Sequence, residues 1–144
     1  MEALLKALYP LHPKLVHFPI ALALSAMGMQ GLGMLFKKDA LRQSAWVMFN
    51  LAVLSMSVVI WSGLSEAQYL HLSHPVLTAH KKFAFGAMWL SLVAVPMLWV
   101  IRLKSIKNFQ VSFLIVSIIL AVFLGLAAHQ GGRMVYEYGV GVSQ

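Results

Sequence analysis

Four long apolar segments dominate the pattern of hydrophobic and polar positions along the chain. They lie at about residues 15–36, 44–65, 80–101 and 109–130. Each is close to the roughly 20 apolar residues that a helix needs to cross a bilayer, and none shows the alternation of a barrel strand. The connections are short, so neighbouring helices are expected to be antiparallel. The pattern predicts an all-α fold, an integral membrane four-helix up-down bundle in which residues 1–144 form a single transmembrane domain.

The composition strengthens the membrane prediction. Hydrophobic residues make up 60% of the chain and charged residues only 10%, and the mean hydropathy is +0.81. A soluble domain carries roughly a quarter charged residues, so most of this surface is expected to contact a lipid bilayer. The net charge of +7 is therefore assigned to lipid headgroups and topology, and nucleic acid is not an expected partner.

Two connections, residues 37–43 and 102–108, carry clustered basic side chains. The positive-inside rule places such connections in the cytoplasm. Both termini and the 66–79 connection are then periplasmic, and the expected location is the bacterial inner membrane, with a multi-pass topology. The basic residues of the two connections are Lys37, Lys38, Arg42, Arg102, Lys104 and Lys107.

The histidines fall at the other ends of the predicted spans, so all six are expected at one membrane face. Polar groups at or near hydrocarbon are costly unless they have partners, which favours a functional cluster. The residues are His12 and His17 before or within the start of the first span, His71 and His74 in the second connection, His80 at the start of the third span and His129 at the end of the fourth.

Two stretches of the chain read alike: HPKLVH at residues 12–17 and HPVLTAH at residues 74–80. Each contains a His-Pro pair and a second histidine, and each leads into an apolar run. Aligning the copies pairs His12 with His74 and His17 with His80. This alignment predicts two pseudo-symmetric helical hairpins related by an axis along the membrane normal. It also places His17 and His80 at equal depth on different helices.

Paired imidazoles on facing helices favour a b-type cytochrome that holds one or two molecules of heme b for electron transfer. The chain has no cysteine, which excludes covalent heme attachment through C-x-x-C-H and also thiolate zinc sites. Candidate partners are a quinol, a periplasmic redox protein and a second copy of the chain. The candidate heme ligands are His12, His17, His80 and His129, and Lys81 and Arg133 are candidates to pair with the propionates.

Two alternatives stay open. One is a zinc, copper or nickel site in which His74 joins the other histidines, although Glu66 and Glu137 are the only acidic residues expected nearby. The other is a structural membrane subunit whose histidines only contact partner proteins. The sequence shows no nucleophile beside a base, no paired carboxylates and no phosphate-binding glycine loop, so whether the protein is an enzyme is left open.

The two ends of the chain resemble a known family of small bacterial four-span membrane proteins of unknown function. The resemblance rests on HPKLVHFPIAL at residues 12–22 and GGRMVYEYGVGV at residues 131–142. It implies a b-type cytochrome-like protein in which His12, His17 and His80 are shared histidines, with His129 beside the closing motif. Tyr138 stands where many members carry a histidine, so a ligand at that position would be absent here.

Overall fold

The computed structural model describes residues 11–69 and 74–139. The helices are α1 (His12–Leu15), α2 (His17–Leu35), α3 (Asp39–Tyr69), α4 (Pro75–Leu103) and α5 (Phe109–Tyr136). A single residue, Val16, separates α1 from α2, so the two together make the first of four candidate membrane spans, His12–Leu35. The predicted all-α four-helix membrane bundle is confirmed.

All four spans extend beyond the apolar segments that predicted them. The second span reaches from Asp39 to Gln68, and α5 continues to Tyr136 through polar and glycine residues. Helical hydrogen bonding does not stop where the apolar run ends, because each further turn satisfies its own backbone groups. Within residues 11–69 and 74–139, the histidine end of the bundle is therefore built mainly from helical backbone.

Helices α2 and α4 end in the same backbone geometry. Lys37 (φ 53°) and Ser105 (φ 50°) each occupy the left-handed region just after the last helical turn. The following residue then donates back to a carbonyl five residues earlier, which is the Schellman arrangement that satisfies a free carbonyl. These bonds run from the Lys38 N–H to Gly33 O and from the Ile106 N–H to Ile101 O, each at 3.0 Å.

The bundle consists of two hairpins, α2 with α3 and α4 with α5, which are joined mainly where α2 packs on α5. Small buried residues such as Ala26, Ala52 and Ala94 let the helices approach closely, as is usual in lipid. Large apolar side chains point outward instead, and Leu54 and Val93 are each 70% exposed. Such a surface is suited to acyl chains rather than to water.

Buried positions recur in the two hairpins at a separation of 68 residues. This register equates residue 12 with residue 80 and residue 59 with residue 127, whereas the His-Pro strings equate residue 17 with residue 80. The alignment of the two strings gives the wrong register because the helices begin at different points relative to the paired residues. Helix α1 begins at His12 itself, while α4 begins at Pro75, well before His80. The matched buried pairs are Ala23 and Ser91, Ala26 and Ala94, Gln30 and Leu98, Ala45 and Phe113, Phe49 and Ser117, Ala52 and Leu120, Met56 and Leu124, and Val59 and Ala127.

Candidate functional site

His12 and His80 form a pair at one end of the bundle. Their ring centroids are 5.9 Å apart and the ring planes are nearly perpendicular, at 87°. Both side chains are half-buried, His12 at the start of the first span and His80 in the second turn of α4. The pair therefore bridges the two hairpins.

Each ring of the pair is held by a main-chain carbonyl of the neighbouring helix. Nδ1 of His12 donates to Val59 O at 3.0 Å, and Nδ1 of His80 donates to Ala127 O at 2.8 Å. In each case donor and acceptor are 47 residues apart. A carbonyl oxygen only accepts, so Nδ1 carries the proton and Nε2 keeps its lone pair. This is the tautomer that a metal-binding imidazole usually adopts.

Two glycines lie against these rings, one turn beyond each carbonyl. A Cβ atom on Gly63 would be 2.8 Å from Nδ1 of His12, a distance that real Cβ atoms essentially never show. A Cβ atom on Gly131 would be 3.5 Å from Nδ1 of His80, an ordinary contact. Gly63 and Gly131 are again 68 residues apart. The His12 ring thus fits only because α3 has no side chain at Gly63.

Glu66 is a residue of this site that sequence reasoning treated only as a nearby acid. The residue is 8% exposed, and its Oε2 accepts from the backbone N–H of His12 at 3.0 Å. Here the carboxylate satisfies one of the free N–H groups at the helix start. An acidic residue in the last turns of a membrane span needs a partner, which is the signal that could have indicated this role.

His17 and His129 are not part of the pair. His17 is exposed, and its Nδ1 donates to Pro13 O one turn earlier, at 2.9 Å. His129 is also exposed, although it lies on α5 close to Ala127. The structure therefore brings His80 together with His12, and not with His17 as the alignment of the two strings predicts. The reason is the register of the hairpins, which places His17 on an outer face of α2.

His74 has a structural position at the start of α4. Its Nδ1 accepts from the Val76 N–H at 3.2 Å, which caps the helix, and Pro75 follows as the first helical residue. Its ring also contacts Tyr138, with the centroids 4.5 Å apart. The other histidine of this connection, His71, lies outside the described residues.

The two predicted propionate partners differ in their surroundings. Lys81 is half-buried and directly follows His80. Arg133 donates through Nε to Glu137 at 2.9 Å and through Nη2 to the Tyr138 hydroxyl at 3.2 Å. Its charge is therefore already balanced by an acid on its own segment.

In residues 11–69 and 74–139, no group of three or more His, Cys, Asp or Glu residues could hold a metal ion. Zinc sites built from protein ligands normally need three or four donors. The donor set offered here is two imidazoles with oriented nitrogens.

Four apolar helices that can span a bilayer, with a polar cluster at one end, define a multi-pass membrane protein. The model of a predicted membrane protein family (DUF2231) matches residues 8–144, and the chain belongs to this family. No curated protein and no solved structure matches the chain.

Proposed function

We propose that the protein is a membrane-embedded b-type cytochrome in which His12 and His80 are the two axial ligands of one heme. The observation that carries the proposal is the pair itself: two half-buried imidazoles on different hairpins, each with Nδ1 bonded to a carbonyl. Since Nδ1 is the donor in both rings, Nε2 of both rings is left to bind iron. His12 thus takes the position that the sequence alignment assigned to His17.

The spacing of the rings agrees with this assignment. Two imidazoles that held one iron between them through bonds of about 2 Å would have ring centroids roughly 6 Å apart. The observed separation is 5.9 Å. The glycine at position 63 lets the His12 ring lie against α3, where Nδ1 bonds to Val59 O.

The donor set favours heme over a mononuclear zinc, copper or nickel site. Such ions take most of their ligands from the protein, whereas the porphyrin supplies four nitrogens and needs only axial ligands. A site with two imidazoles and no third ligand in residues 11–69 and 74–139 therefore suits heme better than a mononuclear ion. The exposed His17 and His129 form no second pair, so we propose one heme rather than two.

A heme held by two imidazoles supplies a one-electron iron couple with no open coordination position, which favours electron transfer over oxygen chemistry. The protein contributes two imidazoles whose Nδ1 atoms are each fixed by a main-chain carbonyl. We place the histidine end at the periplasmic face of the inner membrane, because both basic connections lie at the other end. A membrane quinol as donor and a periplasmic redox protein as acceptor fit this arrangement.

The test is the visible spectrum of the full-length chain, produced with adequate heme supply and purified in detergent. We expect a low-spin Soret band when oxidised and sharp α and β bands after reduction with dithionite. His12→Ala and His80→Ala should each abolish the low-spin spectrum. His17→Ala and His129→Ala are matched controls, since both residues lie at the same end and are exposed, and both should keep it.

Added imidazole distinguishes a lost ligand from a lost fold. It should restore the low-spin bands in His12→Ala and His80→Ala, because a free imidazole can take the place of the deleted ring. A colourless wild-type protein would overturn the proposal. Loss of the bands in His17→Ala, with His12→Ala unaffected, would reject this pairing of ligands.

A further inference from the structure

An open groove of about 550 Å³ lies at the end of the bundle opposite the histidines. Its walls come from the start of α3, the end of α4 and the first turn of α5. Two arginines, Arg42 and Arg102, line it together with the polar residues Gln43, Asn108 and Gln110. The groove belongs to no part of the histidine site.

The two arginines differ in what they offer to an anion in the groove. Arg42 is paired with Asp39 through Nη2 at 2.8 Å, and its Nε is buried with no hydrogen-bond partner in the described part of the chain. The guanidinium of Arg102 stacks over Trp46 and Phe109, with its carbon 4.9 Å and 5.7 Å from the ring centroids. Stacking occupies the face of a guanidinium and leaves its N–H edge free. Within residues 11–69 and 74–139, Arg102 forms no ion pair.

The start of α5 adds a positive potential to the same groove. Asn108, in the left-handed region at φ 73°, provides no side-chain cap, and the first turn of the helix contains no acidic residue. The first N–H groups of this helix are therefore free to meet an anion. Asp39 is the one acid among the groove residues, and its charge is balanced by Arg42.

Apolar side chains at the groove identify the kind of anion. Ile106 and Val111 line it and are 47% and 45% exposed, and large exposed apolar residues continue along α5. A free phosphate ion would not cover these side chains, whereas the acyl chains of a lipid would. Basic pockets between membrane helices are typical sites for anionic lipid headgroups.

We propose that this groove binds the phosphate headgroup of an anionic phospholipid, with Arg102 as the contacting cation and Ile106 and Val111 against the acyl chains. The site is independent of heme binding, because it lies at the opposite end of the bundle. Neither proposal requires the other.

The experiment is native mass spectrometry of the full-length chain in neutral detergent. Dioleoyl phosphatidylglycerol should bind at least about 5-fold more tightly than dioleoyl phosphatidylcholine, since one productive cation contributes about 1 kcal/mol. Inorganic phosphate should not compete. Equal binding of the two lipids would overturn the proposal. Competition by inorganic phosphate would show that the groove binds phosphate without need of a lipid, which would overturn the assignment to a phospholipid.

Variants locate the site. Arg102→Gln should weaken phosphatidylglycerol binding about 5-fold. Because Arg102 also packs on Trp46, Gln43→Glu is the second variant: it adds a carboxylate at an exposed groove position and leaves that packing intact. Lys37→Gln is the matched control, with the same change in net charge at an exposed position outside the groove. Equal weakening by Gln43→Glu and Lys37→Gln would show only general attraction to the basic end and would overturn the groove assignment.

Discussion

Single residues orient the two imidazoles of the site. His12 and His80 each use Nδ1 for a carbonyl on the neighbouring helix, and each ring has a glycine beside it. The residues around the two rings correspond at a separation of 68 positions, but the two rings do not lie equally close to their glycines. The contact at Gly63 is closer than the contact at Gly131, so the His12 ring is the more constrained of the two.

Gly63→Ala should therefore destabilise the protein, whereas the same substitution at Gly125 or Gly131 should not. The new methyl group must displace the His12 ring from Val59 O, and overpacking of this kind costs about 1–3 kcal/mol. The free energy of unfolding in mixed detergent micelles measures this cost.

Gly125→Ala is the control, because a Cβ atom there meets nothing within 4 Å, and Gly131→Ala meets only an ordinary contact. Both should be neutral or should stabilise the helix by up to about 1 kcal/mol, the usual gain of alanine over glycine. Equal destabilisation by all three substitutions would contradict the fit at Gly63.

At the scale of helices, one buried polar contact joins α2 to α5. Gln30 is fully buried, and its Nε2 donates to Gln110 O at 3.0 Å and to Gln110 Oε1 at 2.7 Å. Its own Oε1 has no hydrogen-bond partner in the described part of the chain. The equivalent position in α4 is Leu98, which is also fully buried. An apolar residue thus fits this depth of the bundle, and the amide serves to pair the two helices.

Gln30→Leu alone should destabilise the bundle by about 1–3 kcal/mol, because Gln110 loses its donor. The double variant Gln30→Leu/Gln110→Leu should recover part of that loss, since two apolar partners need no hydrogen bond. A double-mutant cycle on the free energy of unfolding gives the coupling. Additive losses would show that the two side chains act independently.

At the scale of the whole molecule, polar chemistry is separated between the two ends of the bundle. One end carries the imidazole pair and Glu66, and the other carries both basic connections and the groove. The outer surface between them is apolar. Under the proposed orientation, the redox site would face the periplasm and the lipid site would face the cytoplasm.

Single cysteines test this orientation, because the natural chain contains none. A membrane-impermeant maleimide should label Thr78→Cys in intact cells, and it should label Lys38→Cys and Lys107→Cys only after the membrane is opened. All three positions are exposed. Labelling of the two lysine positions alone in intact cells would reverse the proposed orientation. Different labelling of Lys38→Cys and Lys107→Cys would contradict the up-down arrangement.

The sequence by itself determined the number of spans, their approximate limits and the gathering of the described histidines at one end. These features depend on apolar length and on the alternation of antiparallel helices, both of which are local properties of the chain. Even the helix start at His74 and Pro75 could be recognised, because its cap and proline are adjacent in sequence.

Only the tertiary structure decided which histidines meet. The approach of His12 to His80 depends on the rotation and height of whole helices, which are set by packing between residues far apart in sequence. Val59 O, Ala127 O and the Glu66 carboxylate come from helices that follow long after the residues they bind. The repeated His-Pro strings do not predict that register. In the first string the site residue, His12, is itself the first helical residue, whereas in the second string the helix begins at Pro75, five residues before His80. The physical reason is that the insertion of a helix in a bilayer depends on the total hydrophobicity of one segment. The pairing of two ligands depends instead on the relative position of two different segments.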